Sequence, residues 1–477
     1  MEWFTAPEYW QARLVFQRGL AVVYLLAFLG AALQFRALIG ERGMLPVPRY
    51  VRRVPFRNAP SVFQWHYSDR FFAVVAWGGV GLAGAMAVGL GDAVPLWASM
   101  VLWAALWVLY LSIVNVGQAW YSFGWESLLL EAGFLAIFLG NDTVGPPLLV
   151  LLLLRWLLFR VEFGAGLIKW RGDPCWRDLT CLRYHHETQP MPGPLSWFFH
   201  HLPAPLHRVE VAANHVVQLA VPFGLFFPQP VAGIAAAIIV VTQLWLVLSG
   251  NFAWLNWLTI LLAASALDAW MLPGLPSAPP VAETPLWFAG AVIALTGAVI
   301  VLSYWPIRNL CSRAQRMNAA FNPIHFVNTY GAFGTIGRVR YEVVFEGTAE
   351  EHVTGETAWR EYEFKGKPGA VDRWPRQWAP YHLRLDWLMW FAALSPSYAR
   401  TWLLPFVVRL LDNDPDTLRL LRHSPFRTTR PRHIRALLYE YRYTAPSELR
   451  RTHTCWTRTL ISEYLPPLTL DAIQRRS

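Results

Sequence analysis

Charged residues are scarce in this sequence, and their scarcity excludes an ordinary water-soluble protein. Only 15% of the 477 residues are Asp, Glu, Lys or Arg, whereas 55% are hydrophobic and 26 are Trp. Soluble domains carry about 25% charged residues. The composition therefore predicts an integral membrane protein.

Short catalytic motifs are absent as well. The sequence has no G-x-S-x-G nucleophile elbow, no H-E-x-x-H zinc motif and no P-loop. It also has no recognisable nucleic-acid-binding motif, internal repeat or low-complexity tract. These absences give no support to an enzymatic function. We therefore predict neither a cofactor nor a nucleic-acid partner.

Apolar segments that reach or approach the length of a membrane span recur through the first 305 residues. A spanning helix needs about 20 predominantly apolar residues. The nine predicted spans are Leu14–Leu33, Phe71–Leu90, Pro95–Val116, Leu128–Leu139, Pro147–Ile168, Val209–Phe227, Val231–Ser249, Trp254–Met271 and Pro285–Trp305. Some are alternatively buried or re-entrant helices. No A-x-A-like cleavage site follows the first run, which predicts a retained anchor.

The distribution of charge divides the chain at residue 305. Residues 306–477 carry 25 Lys and Arg against 16 Asp and Glu, whereas residues 1–305 carry 16 against 15. We therefore predict a polytopic α-helical membrane domain with polar loops at 34–70 and 169–208, followed by a basic extracytoplasmic globular domain. The basic surface faces anionic lipid headgroups or acidic partners, or it is simply solvated.

The parity of the spans predicts one shared polar face. With a cytoplasmic N-terminus and nine spans, both polar loops and the C-terminal domain lie outside the cytoplasm. The loop Gln34–Arg70 argues against this orientation, because it has seven Arg and two acidic residues and positive loops favour the cytoplasm. The long polar segments share one side in either orientation.

The C-terminal domain has the sequence pattern of an α+β fold rich in strands. RVRYEVVFEGT and WREYEFKGKPG contain many β-branched and aromatic residues in partial alternation. IRALLYEYRYT and CWTRTLISEYL predict further strands. DWLMWFAALS and TWLLPFVVRLLDND predict helices or segments that skim the membrane.

A polar segment at Gly164–Pro194 interrupts the apolar chain. Cys175 and Cys181 are close enough in sequence to form a disulfide in an oxidising compartment, although the spacing is not the C-x-x-C of redox enzymes. With His185 and His186 they also offer zinc ligands, but this spacing fits no standard finger. We predict a structural disulfide, with free thiols as the alternative, and no metal site.

Longer strings around this segment resemble the lipase maturation factor family. They are GAGLIKWRGDPCWRDLTCLRYHHETQPMPGPLSWFFHHLP, ANHVVQLAVPF, SGNFAWLNWLT, NTYGAFGTIGRVRYEVVFEGT, WREYEFKGKPG and RQWAPYHLRLDWLMWFAAL. The resemblance implies a multi-pass protein that assists the folding or assembly of secreted lipases. The lack of a long N-terminal extension and of a C-terminal retention tail predicts a prokaryotic member in the inner membrane. A eukaryotic member is expected in the endoplasmic reticulum membrane.

A shorter string, AGLIKW, is similar to the AG-x-x-K stretch of the vitamin K-dependent gamma-glutamyl carboxylases. In that group the matching lysine, here Lys169, is implicated in catalysis. Lys169 is the only lysine before Lys365, and a lysine loses its proton more readily than Arg when desolvated. Two hypotheses are open: a base in a cavity for a lipid, quinone-like or peptide substrate, or an anchor whose amine snorkels to the membrane surface.

The maturation-factor hypothesis needs no reaction, because the loop and the C-terminal domain form a surface for a lipase client. Trp and Arg dominate binding hot spots in such surfaces. The loop residues predicted to contact the client are Trp176, Arg177, Asp178, Tyr184, His185, His186 and Glu187.

Polar side chains also lie within or beside the apolar segments. They are Glu126, Glu131, Arg155, Arg160, Glu162, His215, Gln218, Asn251 and Asn256. Charges at that depth are costly unless they are paired or face a cavity. We predict that the first two glutamates pair with the two arginines, with a polar substrate pocket as the alternative. The uncharged groups join helices or line a cavity with Lys169.

Overall fold

Helices make up the first part of the fold. The computed structural model describes residues 3–426 and 429–475. Its first part contains the helices α1 Trp10–Leu38, α2 Val47–Val51, α3 Asp69–Val88, α4 Leu90–Ala93, α5 Leu96–Val116, α6 Gly124–Ala136, α7 Leu148–Arg171, α8 Pro174–Arg177, α9 Leu182–Thr188, α10 Ser196–His200, α11 Ala204–Leu219, α12 Val221–Gly224, α13 Val231–Ser249, α14 Leu255–Ala264, α15 Leu286–Leu302 and α16 Tyr304–Cys311.

Five helical segments within the described residues are long and apolar enough to cross a membrane. They are Pro7–Leu38, Asp69–Val88, Leu96–Val116, Val231–Ser249 and Leu286–Cys311. Large apolar side chains on these segments point away from the protein, for example Val241 and Ile300, which are 68% and 67% exposed. The chain is therefore an integral membrane protein, as its composition predicts.

The prediction of nine spans is not confirmed, because the other four predicted segments form shorter or more polar helices. α6, α11 and α14 fall on Leu128–Leu139, Val209–Phe227 and Trp254–Met271, and they have 13, 16 and 10 residues. A full crossing needs about 20. α7, on Pro147–Ile168, has 24 residues, but it buries several charged side chains. Whether these four helices cross the membrane stays a prediction.

Capping residues define the span α3. Ser68 precedes the helix, and its side chain accepts a hydrogen bond from the Phe71 amide, while Asp69 in the first turn complements the helix dipole. The helix ends at Gly89, whose φ of +119° is a left-handed conformation that glycine adopts at low cost. Local sequence thus fixes both ends of this span.

The helix α1 connects two opposite ends of the helical part. Near its start, Gln11 donates a hydrogen bond to the Pro276 carbonyl, 3.0 Å away. Near its end, Gln34 donates to the His382 carbonyl at 2.8 Å. A helix of 29 residues is about 43 Å long. The C-terminal part therefore packs at one end of the helices, and the segment around Pro276 lies at the other.

A four-stranded antiparallel sheet in the order β2-β1-β3-β4 organises the C-terminal part. Its strands are β1 Arg340–Thr348, β2 Arg360–Glu361, β3 His433–Tyr443 and β4 Trp456–Leu468, and its helices are α17 Arg384–Leu394, α18 Leu403–Leu411, α19 Pro415–Leu418, α20 Pro446–Thr452 and α21 Leu470–Gln474. β1 and β3 pair from Arg340 opposite Tyr441 to Thr348 opposite His433.

The predicted α+β character of this part is confirmed. Each predicted strand segment overlaps one of the strands, and the two predicted helical segments overlap α17 and α18. WREYEFKGKPG forms only the two-residue strand β2. Shortly after β2 the backbone changes partner, because Glu363 forms an isolated antiparallel bridge with His423.

Aromatic side chains pack the two parts of the chain together. Trp120 contacts Trp402 with ring centroids 5.4 Å apart, and Phe123 contacts Trp387 in a T-shaped arrangement at 5.8 Å. Buried side chains from both parts belong to one contiguous hydrophobic core. The C-terminal part is therefore packed on the membrane helices and not merely tethered to them.

Candidate functional site

The amine of Lys169 points into the protein. Lys169 lies in the last turn of α7 and is 6% exposed. Its Nζ donates hydrogen bonds to Asn214 Oδ1 and Gln218 Oε1 of α11, both at 2.9 Å. The nitrogen also lies 4.9 Å from the centre of the Trp176 ring. A snorkelling anchor would expose this amine, so the anchor hypothesis is wrong.

A buried chain of polar side chains continues from α7 to α13 and α14. Gln243 Nε2 donates to Glu162 Oε1 at 2.6 Å, and Asn256 Nδ2 donates to Gln243 Oε1 at 2.7 Å. All three side chains are at most 5% exposed. Gln243 thus holds the carboxylate of Glu162 inside an otherwise apolar helix layer, and Asn256 orients Gln243.

These polar groups line one large cavity together with Lys169. The cavity has a volume of about 1010 Å³, and apolar side chains including Phe252, Phe333 and Trp390 form much of its wall. An amine, a carboxylate and several amides on a mostly apolar wall suit an amphipathic molecule. Gln218 and Asn256 are among the side chains that line this cavity with Lys169.

Exposed side chains of two helices mark where the cavity reaches the surface. Leu206 and Val209 of α11 and Trp245 of α13 belong to its lining, and they are 50%, 63% and 43% exposed. Because α13 is one of the five candidate spans, this mouth lies beside a membrane-facing surface.

A disulfide holds the polar loop over this cavity. Cys175 and Cys181 are bonded to each other, which confirms the predicted pair. Trp176, between them, donates from its indole nitrogen to the Phe333 carbonyl at 2.9 Å and is 3% exposed. His215 Nε2 donates to the Trp176 carbonyl at 3.0 Å. The loop is therefore an ordered wall of the cavity.

The predicted client-contact residues divide into exposed and buried ones. Arg177 and Asp178 are exposed, as a contact surface requires. Trp176, His185 and His186 are buried because the disulfide loop folds back on the helices, so they offer no outer surface. Burial lowers the pKa of His185 to about 3, and its ring is neutral near pH 7. Tyr184 and Glu187, the two remaining predicted residues, are partly buried.

The loop docks on the sheet of the C-terminal part. The Tyr443 amide donates to Glu187 Oε1 at 2.7 Å, and the Trp197 indole donates to the Thr444 carbonyl at 3.0 Å. Arg340 of β1 donates to the Glu187 carbonyl at 2.9 Å. The loop and the C-terminal part therefore share one surface, whereas the side of the membrane on which it lies stays a prediction.

One of the predicted intramembrane ion pairs forms. The Arg160 guanidinium donates to both carboxylate oxygens of Glu131, and both side chains are 1% exposed. Glu126 instead pairs with Arg384 of the C-terminal part. Arg155 donates to the Ser265 carbonyl at 3.1 Å. Glu126 does not pair with an arginine of α7, as predicted, because Glu126 lies in the first turn of α6 and faces the C-terminal part.

Asn251 joins elements rather than lining the cavity. Its Nδ2 donates to the Pro192 and Arg376 carbonyls, both at 3.0 Å, and its Oδ1 accepts from the Trp378 amide at 2.7 Å. The sequence interpretation missed Gln243 and Asn214. The signal for Gln243 is a lone amide in the otherwise apolar span α13.

Family models match both parts of the chain. The model described as "Lipase maturation factor transmembrane domain" matches residues 11–273. The model described as "Lipase maturation factor C-terminal domain" matches residues 326–466. No solved structure matches the chain.

Curated relatives are similar over almost the whole chain. "Lipase maturation factor 1" of Bos taurus is 41% identical, over 97% of this chain and 90% of the relative. "Lipase maturation factor 1" of Homo sapiens is 39% identical, over 98% and 89%. "Lipase maturation factor 2" of Gallus gallus is 30% identical, over 96% and 81%. These relatives are animal proteins, so the prediction of a prokaryotic member has no support. None of these matches bears on the carboxylase resemblance.

Proposed function

Because the chain belongs to the lipase maturation factor family, we propose that it is a membrane-anchored factor that assists the maturation of a lipase. The observation that carries this proposal is that both domain models of the family match, over residues 11–273 and 326–466. The enzyme alternative is not favoured, because it depends on a short string that ends at Lys169.

We infer the endoplasmic reticulum membrane as the location of this factor. The matched relatives are eukaryotic proteins, and the Cys175–Cys181 disulfide fits an oxidising compartment such as the lumen of that organelle. On this proposal, the loop and the C-terminal part face the lumen, where a secreted lipase folds, and the exposed apolar faces of the spans contact membrane lipids.

The client surface that we propose combines the disulfide loop with the C-terminal part. Arg177 and Asp178 supply exposed charges on the loop. Phe198, 53% exposed, adds apolar area and packs against Trp374 of the C-terminal part with ring centroids 5.9 Å apart. Exposed apolar side chains beside charged ones are typical of protein-binding surfaces.

Co-expression with a secreted lipase tests the proposal. Cells that lack their own maturation factor receive the lipase with this chain, with a chain carrying Arg177→Ala and Asp178→Ala, or with neither. We expect secreted lipase activity to rise with the unchanged chain and to rise less with the double variant. Glu283→Ala is the matched control, because Glu283 is exposed in the segment at the opposite end of α1. Lipase activity that is independent of the chain contradicts the proposal.

A further inference from the structure

Three potential metal ligands converge on one wall of the cavity. They are His186 of α9 and His207 and Glu210 of α11. His186 and Glu210 are among the cavity-lining residues. His207 and Glu210 are three positions apart on their helix, so both side chains project from the same face.

The separations between the ligand atoms suit an ion. His186 Nε2 is 3.5 Å and His207 Nδ1 is 3.8 Å from the same oxygen, Glu210 Oε2. All three ligand atoms lie within 4.8 Å of one another. Four tetrahedral ligands with bonds of about 2.0–2.1 Å stand about 3.4 Å apart. The two distances to Glu210 are thus close to those in a zinc site and too long for strong hydrogen bonds.

The same atoms have no hydrogen-bond partner within the described part of the chain. Both ring nitrogens of His186, Nδ1 of His207 and Oε2 of Glu210 are buried and form no hydrogen bond there, although the carboxylate lies within ion-pair distance of both imidazoles. His186 and His207 are only 1% and 2% exposed. Buried polar atoms without a partner are costly and rare, and a bound cation would give His186 Nε2, His207 Nδ1 and Glu210 Oε2 a partner at once.

Neighbouring groups orient the two ligands on α11. His207 Nε2 lies 3.3 Å from the His200 carbonyl. A carbonyl only accepts, so Nε2 carries the proton and Nδ1 keeps its lone pair, directed towards Glu210. Glu210 Oε1 accepts from the Trp245 indole at 2.6 Å, which leaves Oε2 for the ion. Metal-binding histidines and carboxylates commonly have such supporting hydrogen bonds.

We propose that His186, His207 and Glu210 bind one divalent transition-metal ion of the zinc type, with a further coordination position open to the cavity. Two imidazoles and a carboxylate favour zinc over magnesium or calcium, which prefer oxygen ligands. The proposal revises the sequence prediction of no metal site. That prediction considered Cys175 and Cys181 together with His185 and His186. The disulfide removes the two cysteines, and the structure places His207 and Glu210 beside His186 instead.

Metal analysis of the full chain tests the proposal. The protein is purified in detergent through a tag without histidine, incubated with Zn²⁺, freed of excess metal and measured by inductively coupled plasma mass spectrometry. We expect one zinc per chain. A variant with both His186→Asn and His207→Asn is expected to bind zinc at least about 100-fold more weakly. Altering a group that only supports a ligand weakens metal binding by about 10–100-fold, so a larger loss indicates that the ligands themselves were removed. His201→Asn, which removes a neighbouring imidazole outside the cluster, is the matched control and keeps its zinc.

A cobalt titration keeps the test decisive if the double variant does not fold. Co²⁺ added to the unchanged, metal-free protein is expected to give the intense visible absorption of four-coordinate cobalt, and Zn²⁺ is expected to abolish it. Glu210→Gln, of similar shape, should weaken the spectrum. No stoichiometric zinc in the unchanged protein, no such cobalt absorption, or equal zinc retention by the double variant each overturns the proposal. None of these measurements depends on lipase maturation.

Discussion

Arg384 of the C-terminal part forms a buried ion pair with Glu126 of α6, with Nη1 and Oε1 2.5 Å apart and both side chains 0% exposed. The guanidinium also donates to the Trp120 carbonyl at 2.9 Å and lies over the Tyr121 ring. Tyr110 donates to the other carboxylate oxygen of Glu126. The helix α6 and the C-terminal part are thus joined by a buried pair of opposite charges, in which each part supplies one partner.

Replacing Glu126 by Gln should destabilise the junction between the two parts. The Arg384 guanidinium would stay buried without its counter-charge, which costs about 3–5 kcal/mol of unfolding free energy when one partner of a buried pair is removed. Thermal unfolding in detergent measures the loss. Asp416→Asn is the control, because its partner Arg419 is 75% exposed and exposed pairs contribute little. Equal melting temperatures for the two variants would contradict the prediction.

His382 should make this junction sensitive to acid. Burial, reinforced by the nearby Arg384, lowers the pKa of His382 to about 4, whereas an unfolded histidine has a pKa of about 6.5. Between pH 4 and pH 6.5 the unfolded chain binds more protons at this residue than the folded chain does. The free energy of unfolding is therefore retained above pH 6.5 and falls as the pH drops towards 4. The slope from this group is at most about 1.4 kcal/mol per pH unit.

Melting temperatures at pH 7 and pH 5 test this slope. We expect His382→Gln to lower stability at pH 7 but to reduce the loss between pH 7 and pH 5. His352→Gln, at an exposed position, should keep the slope of the unchanged protein. If His382→Gln keeps that slope too, another group causes the acid sensitivity.

The spans and strands were predictable because each is determined by the apolar content of residues that are close together in the sequence. The nine long apolar runs include the five candidate spans, and the segments predicted as strands include most of β1, β3 and β4. The partner of Glu126 was not predictable in this way, since Arg384 is 258 positions further along the chain. The Glu131–Arg160 pair was predictable, because both residues lie in successive apolar segments where an unpaired charge is costly.

The candidate site was predicted in composition but not in geometry. Lys169 was conspicuous as the only lysine before Lys365, yet its inward direction depends on how α7 and α11 are rotated against each other. The same packing brings His186 of a short loop helix next to His207 and Glu210. The spacing of three between His207 and Glu210 is visible in the sequence, but nothing along the chain indicates that His186 joins them.

The disulfide should stabilise the loop without being needed for membrane insertion. A closed loop this short contributes about 2 kcal/mol on chain-entropy estimates, and the Trp176–Phe333 hydrogen bond remains without it. We expect Cys175→Ala with Cys181→Ala to insert normally but to show faster proteolysis within the loop. Mass mapping of the unchanged protein without reductant should recover one linked peptide pair. Complete alkylation of both thiols would refute the bond.

Lys169→Met separates a maturation factor from an enzyme. The change removes the amine that donates hydrogen bonds to Asn214 and Gln218. It keeps the apolar part of the side chain, because Met packs well in the space of the lysine stem. Gln218 is buried and Asn214 is partly buried. Leaving a buried acceptor unpaired costs about 1–3 kcal/mol, so we expect a lower melting temperature with insertion preserved. Because client maturation uses the outer surface, secreted lipase activity per folded chain should stay unchanged. A catalytic base would instead lower it by about two to four orders of magnitude.

The comparison variant carries Arg177→Ala and Asp178→Ala on the exposed part of the same loop. It should lower client maturation while its melting temperature stays that of the unchanged chain, the reverse of Lys169→Met. Trp176 is unsuitable for this comparison, since it is buried and its loss would disturb the cavity wall. Normalising lipase activity to the folded chain, measured by size-exclusion chromatography, removes the stability effect. A well-folded Lys169→Met protein without maturation activity would show that the buried amine takes part in a reaction.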